Sequence, residues 1–150
     1  MRVFIDLEET IIESWDNPLL MNVSKLKNIL STLEVSSIDV FSAAVWNDTD
    51  KQIFISQMKE AIERVLDVEI VNTISMEDVW FQTQWKQAKF ESICEMIALI
   101  GKKRMFEDWC REKHFNEHCI LIDDSFGNSF LHNSDSGGIV QVIDVNNPKY

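Results

Sequence analysis

Three short, largely apolar runs stop at polar residues: Val3-Phe4-Ile5 at Asp6, Ile38 to Phe41 (interrupted only by Asp39) at Ser42, and Cys119 to Ile122 at Asp123-Asp124. A strand buried on both faces reads as a continuous apolar run, and acid at its end marks where the chain leaves the core. Weaker strands are predicted over residues 68–74 and 138–145. Helical spacing fills the intervals. Leu26, Ile29, Leu30 and Leu33 fall at offsets 0, 3, 4 and 7, with Ser24 as the expected N-cap. Thr49 with Gln52 resembles a capping box and opens a helix to about Leu66 with Phe54, Met58, Ala61, Ile62 and Val65 inward, and Ser75 with Asp78 suggests another helix start. Ile93, Met96, Ile97 and Ile100 mark a further helix closed by Gly101, and residues 102–113 read as another.

Strands alternating with helices predict an α/β sandwich of three layers, with a central parallel sheet of about five strands. The 150 residues fit a single domain spanning 1–150, and no Pro/Gly linker or repeat divides them. In such sheets ligands bind beyond the carboxyl ends of the strands. The residues placed there are Asp6, Ser42, Asp123 and Asp124, with Glu8 and Glu9 close behind. Two carboxylates about 4 Å apart repel by about 4 kcal/mol at an effective dielectric near 20. A rim crowded with them must protonate, splay into water or hold a cation. All-oxygen ligands with open positions suit Mg²⁺.

Asp6-x-Glu8-x-Thr10 after an apolar strand, Ser42 ending the second, a lysine opening the helix before the fourth and Asp123-Asp124 closing that strand resemble the four ordered motifs of the haloacid dehalogenase (HAD) superfamily. The resemblance covers essentially the whole chain and implies a HAD-like Rossmannoid fold. It implies a Mg²⁺-dependent phosphomonoester hydrolase in which Asp6 attacks phosphorus to form an aspartyl-phosphate. Glu8 would protonate the leaving group and later activate water. Ser42, with Lys102 or Lys103, would hold the transferring phosphoryl oxygens. Asp6, the backbone carbonyl of Glu8, Asp123 and Asp124 would hold the metal, with Asp124 favoured as the direct ligand of the pair.

The chain departs from the family pattern at two positions. Family phosphatases generally carry Asp where Glu8 stands and often Gly where Glu9 stands. A displacement of about 1 Å in a catalytic group can cost on the order of a hundredfold in rate. The alternative is therefore a catalytically impaired HAD-like domain that acts by binding a protein. About 30 residues separate Thr10 from Ser42 and about 60 separate Ser42 from Lys102, which resembles a member with little or no cap. An open site implies a large phosphorylated substrate, either a phosphoprotein or a nucleotide or nucleic-acid phosphate, or closure by a partner.

Composition narrows the partners. Lys and Arg total 14 against 25 Asp and Glu, a formal charge of −11, so the overall field disfavours non-specific nucleic-acid binding and anionic membranes. No apolar run approaches the roughly 18 residues of a membrane span. Three cysteines, Cys94, Cys110 and Cys119, lack metal-ligand spacing and predict free thiols in a reducing, cytoplasmic setting. His114, His118 and His132 read as loop or surface residues. Of the five tryptophans, Trp109 reads as core. Trp15 or Trp46, each just past a strand end, could stack on a base or an aromatic leaving group. Phe81 and Trp85 are candidates for a dimer patch.

Overall fold

The computed structural model describes residues 1–113, 117–124, 130–133 and 138–149, the third of these as a strand only. Its elements run β1 (Arg2–Ile5), α1 (Val23–Leu33), β2 (Ser37–Phe41), α2 (Asp48–Phe54), a π turn (Ile55–Lys59), α3 (Glu60–Leu66), β3 (Glu69–Ile74), α4 (Met76–Gln82), a 3₁₀ turn (Gln84–Gln87), α5 (Ile93–Ile100), α6 (Lys102–Glu112), β4 (Cys119–Asp123), β5 (Phe130–Asn133) and β6 (Ile139–Asp144). The sheet order is β3-β2-β1-β4-β6-β5. The first five strands in that order are mutually parallel, and β5 closes the edge antiparallel to β6. Helices flank the sheet, so the three-layer α/β expectation holds. The β5 edge strand is an addition to it.

Alternation along the strands divides the core. Val3, Ile5, Ile38, Val40, Ile120 and Ile122 face α1, α2 and α3, where Leu26, Ile29, Phe54, Met58 and Ile62 meet them. Phe4, Phe41, Leu121 and Val142 face α4, α5 and α6, against Val79, Met96, Met105 and Phe106. Consecutive strand residues point to opposite faces, so both sets must be apolar in a sheet covered on both sides.

Residues 48–66 run continuously through the π turn. Phe54, Met58, Ile62 and Leu66 are all buried at a strict four-residue step. Around an α-helix of 3.6 residues per turn that step drifts by roughly 40° each time. One widened turn takes the drift back and keeps the stripe on the sheet.

Two expected N-caps are corrected. Asn47, not Thr49, caps α2 by accepting the Asp50 N–H at 3.0 Å. The cap of α1 is Asn22 rather than Ser24. It sits in the left-handed region at φ 55°, and its side chain donates to the Thr10 carbonyl at 3.0 Å. The helix start expected at Ser75 and Asp78 holds, and the two close a reciprocal capping box at 3.0 and 2.9 Å.

Cys110 and Cys119 are buried, Cys94 is exposed, and all three are free. Trp109 is buried in the α6 face of the core. His118 is half-buried just before β4. His114 lies outside the described residues, and His132 is described only by its place in β5. Phe81 is exposed and stacked on Trp80, whereas the Trp85 indole turns inward and donates to the buried Asp108 carboxylate at 2.7 Å. No helix among the described residues is long and apolar enough to cross a membrane.

Candidate active site

The strand order reverses between β1 and β4. Strands β2 and β3 extend the sheet to one side of β1, and β4 returns to its other side. The crevice at such a switch point is where α/β sheets bind ligands. Ile5 pairs with Ile122, and the Asp6 N–H donates to the Ile122 carbonyl at 3.0 Å. Asp6 therefore stands beside Asp123, and oxygens of Asp6, Asp123 and Asp124 lie within 4.8 Å of one another.

Lys102 enters this group from the first turn of α6. Its Nζ is 2.9 Å from Asp6 Oδ1 and pairs also with Asp123 Oδ2. The helix is held in that phase by Phe106, one turn on, whose ring meets Phe4 at 5.0 Å and Phe41 at 5.3 Å in edge-to-face contacts. Gly101, at φ 84° and ψ 149°, makes the turn from α5 that lets α6 begin at Lys102. Of the two candidate lysines, Lys102 is thus the one at the carboxylates, with its side chain 15% exposed. Lys103 is 50% exposed and faces Glu107 one turn along the helix.

Three carboxylates against one ammonium leave the cluster two charges negative if all ionise. The acids show that imbalance. Burial raises the Asp6 carboxyl above its ordinary value and Asp123 adds to the rise, while the Lys102 charge and hydrogen bonds from Lys102 and Ser42 oppose it. Asp124 is pushed up to about 7, chiefly by burial and then by the charges of Asp123 and Asp6. Burial alone would lower the Lys102 ammonium. The Asp6 and Asp123 charges outweigh it and hold that group above the usual lysine range.

The loop after β1 supplies the remaining parts. Thr10 is fully buried, with its hydroxyl 3.4 Å from Asp6 Oδ2 and 3.5 Å from Asp124 Oδ1, so one proton serves two carboxylates. Sequence reasoning placed Thr10 in the first motif without a role. The hydroxyl between two acids is what that reading missed. Glu8 bridges to Ile12 through the Glu9 N–H to Ile12 carbonyl bond (2.7 Å) and the Ile12 N–H to Leu7 carbonyl bond (3.1 Å). That pattern leaves the Glu8 carbonyl outside the bridge. The Glu8 carboxylate accepts the Trp15 backbone N–H at 2.8 Å, so its side chain organises the loop and stands outside the three-Asp group. Glu9 is exposed and left-handed at φ 61°, a conformation that costs a non-glycine residue roughly 1–2 kcal/mol. Ser42 is buried at the end of β2, and its Oγ accepts the Ala44 N–H at 3.2 Å.

Two clefts of about 310 and 410 Å³ share Arg2, Asp39 and Asn72 and include none of these acids. Of their cations, Arg2 pairs with Glu117 at 2.9 Å and Lys51 with Asp78 at 2.5 Å, while Lys113 donates to Gln82 at 2.8 Å and lies over the Trp109 ring. Asp39 there accepts both the N–H and the side-chain amide of Asn72, across the irregular register between β2 and β3. That arrangement serves the sheet. The concentrated unbalanced charge is at the switch point. No family model, curated protein or solved structure matches the chain.

Proposed function

We propose that the chain is a Mg²⁺-dependent phosphomonoester hydrolase of the HAD-like type, with Asp6 as nucleophile. The observation that carries this reading is the convergence of Asp6, Asp123, Asp124 and Lys102 at the β1–β4 switch point. The donor set fits magnesium, because every ligand is an oxygen and a divalent ion balances the two excess charges. Asp6, Asp124 and the Glu8 carbonyl would hold the ion, with Asp123 behind them. When bound, it would screen an anionic phosphoryl group from the nucleophile.

Asp6 attacks phosphorus as the bond to the leaving oxygen breaks, giving an aspartyl-phosphate. Lys102 steadies the charge on the phosphoryl oxygens and orients Asp6, and Ser42 with a backbone N–H beyond it holds the same oxygens. Glu8 gives its proton to the leaving oxygen. It then takes one from the water that splits the intermediate into Asp6 and inorganic phosphate. The test is phosphate release with and without Mg²⁺ from nucleotides, phosphopeptides and phosphorylated strands. Asp6→Asn should abolish release while the fold survives; full activity in that variant removes Asp6 from the mechanism.

The bond from the Trp15 N–H to Glu8 favours a second reading, a catalytically impaired HAD-like domain that binds a partner protein. Glu8→Gln separates the two. Its amide oxygen can still accept the Trp15 N–H but carries no proton to deliver. A fall in rate of about 10²–10⁴ supports acid–base work by Glu8. Metal binding without turnover in the unmodified protein supports the second reading.

A further inference from the structure

We propose that Cys110 and Cys119 are a redox pair: a peroxide converts them to a reversible disulfide that fastens the helix bearing Lys102 to the strand bearing Asp123. Cys110 lies about two turns beyond Lys102 on α6, and Cys119 opens β4. Lys102 meets Asp123 at one end of these two elements, and Cys110 meets Cys119 at the other. Both cysteines belong to the core cluster that joins α6 to the sheet, at 3% and 1% exposure. They touch one another. The Cys110 thiol donates a hydrogen bond to the Cys119 sulfur, and Cys119 Sγ donates in turn to the Glu117 carbonyl at 3.6 Å. Cys94 stands apart, exposed on α5.

That relay gives the two thiols unequal roles. The hydrogen bond from Cys110 holds the Cys119 thiol below its ordinary range, against burial and the Glu117 charge, with Arg2 assisting. The same bond, and then burial, pushes the Cys110 thiol up. Cys119 is thus the attacking thiolate and Cys110 the resolving thiol. The Cys119 sulfur attacks one oxygen of hydrogen peroxide as the O–O bond breaks, leaving a sulfenic acid and releasing water. The Cys110 sulfur then attacks the Cys119 sulfur, the S–O bond breaks, and the hydroxyl departs with the Cys110 proton as a second water. The two thiols lose two electrons in all, and the peroxide gains them. Arg2, the strand partner of Cys119, and Trp109, the chain neighbour of Cys110, both line the cleft of about 410 Å³. The pair therefore stands one residue behind a wall that a small oxidant can reach, whereas bulky thiol reagents meet Cys94 first.

The test treats the full chain carrying Cys94→Ala, which removes the exposed thiol, with hydrogen peroxide under native conditions. Thiols are then counted after denaturation, and the disulfide is located by peptide mapping. The free thiols should fall from two to none, in a monomer whose Cys110 and Cys119 peptides are joined, and a dithiol reductant should restore both. The oxidised form should also have a higher urea midpoint than the reduced form, because the cross-link restricts the unfolded chain. Adding Cys110→Ala should halt the reaction at a sulfenic acid on Cys119, which dimedone traps. Survival of both thiols, bonding between chains, oxidation of Cys119 beyond the sulfenic acid while Cys110 remains a thiol, or a urea midpoint that stays or falls on cross-linking overturns the proposal. If the buried alanine prevents folding, the peptide map of Cys94→Ala alone decides. None of these readouts requires phosphate release, so the pair stands or falls apart from the hydrolase reading.

Discussion

Replacing Asp124 with asparagine should make the metal-free protein more stable in alkaline solution, although it removes a residue of the site. The Asp124 carboxyl is pushed from 3.8 up to about 7, by burial and then by its acidic neighbours. Felt in full, that displacement corresponds to about 4 kcal/mol at 1.36 kcal/mol for each pH unit. The side chain is only half-buried, and solvent screening brings the figure to about 1–2 kcal/mol. The sign follows from proton binding. A carboxyl whose folded value is raised binds its proton more tightly in the native state, so its favourable contribution is complete below about 3.8 and is lost as pH rises through 7. An amide at this position would carry no such penalty. Urea denaturation in the presence of a chelator should give Asp124→Asn an advantage of about 1–2 kcal/mol at pH 8. That advantage should shrink as pH falls and vanish as it nears 4. A variant less stable than the parent at pH 8, or a difference independent of pH, would refute the claim that the three acids repel one another.

Three further substitutions probe the elements that build the site. Lys102→Met leaves Asp6 and Asp123 buried without their ammonium and should cost about 3–5 kcal/mol, whereas Lys103→Met, on an exposed helix face, should cost less than about 0.5 kcal/mol in the same assay. Gly101→Ala meets nothing within 4 Å of the added Cβ, but φ 84° and ψ 149° belong to glycine. A loss of about 1–3 kcal/mol in chemical denaturation is expected from backbone strain alone. Glu9→Gly relieves the left-handed backbone at φ 61° and should raise stability by up to about 1 kcal/mol, read as a higher urea midpoint.

The strand ends were legible because a parallel sheet buries its strands on both faces and only their ends tolerate charge. Asp6, Ser42 and Asp123 stand out for that reason, and the neighbouring of β1 and β4 turns two distant acids into one site. The choice between Lys102 and Lys103 was also present in the pattern: Lys102, Phe106 and Trp109 fall at 0, 4 and 7, one helix face, and the last two are core. Other features were hidden by tertiary context. Ser24 and Thr49 are good capping residues, but an asparagine two positions earlier starts each helix. Asn22 does so while tying α1 to the Thr10 loop, a contact invisible in local spacing. Strand β5 has four residues among polar neighbours and exists as a ladder on β6, without a periodic signal of its own. The Glu8 bond to Trp15 depends on how the loop folds back, which residue order alone does not determine.

Calorimetric titration of Mg²⁺ into the chelator-treated protein at pH 7.5 tests the cluster most directly. One binding event per chain, a rise in Tm on saturation and loss of both in Asp124→Asn are predicted. Absence of heat together with an unmoved Tm, or binding that survives the loss of Asp124, would contradict a divalent cation as the partner of these acids.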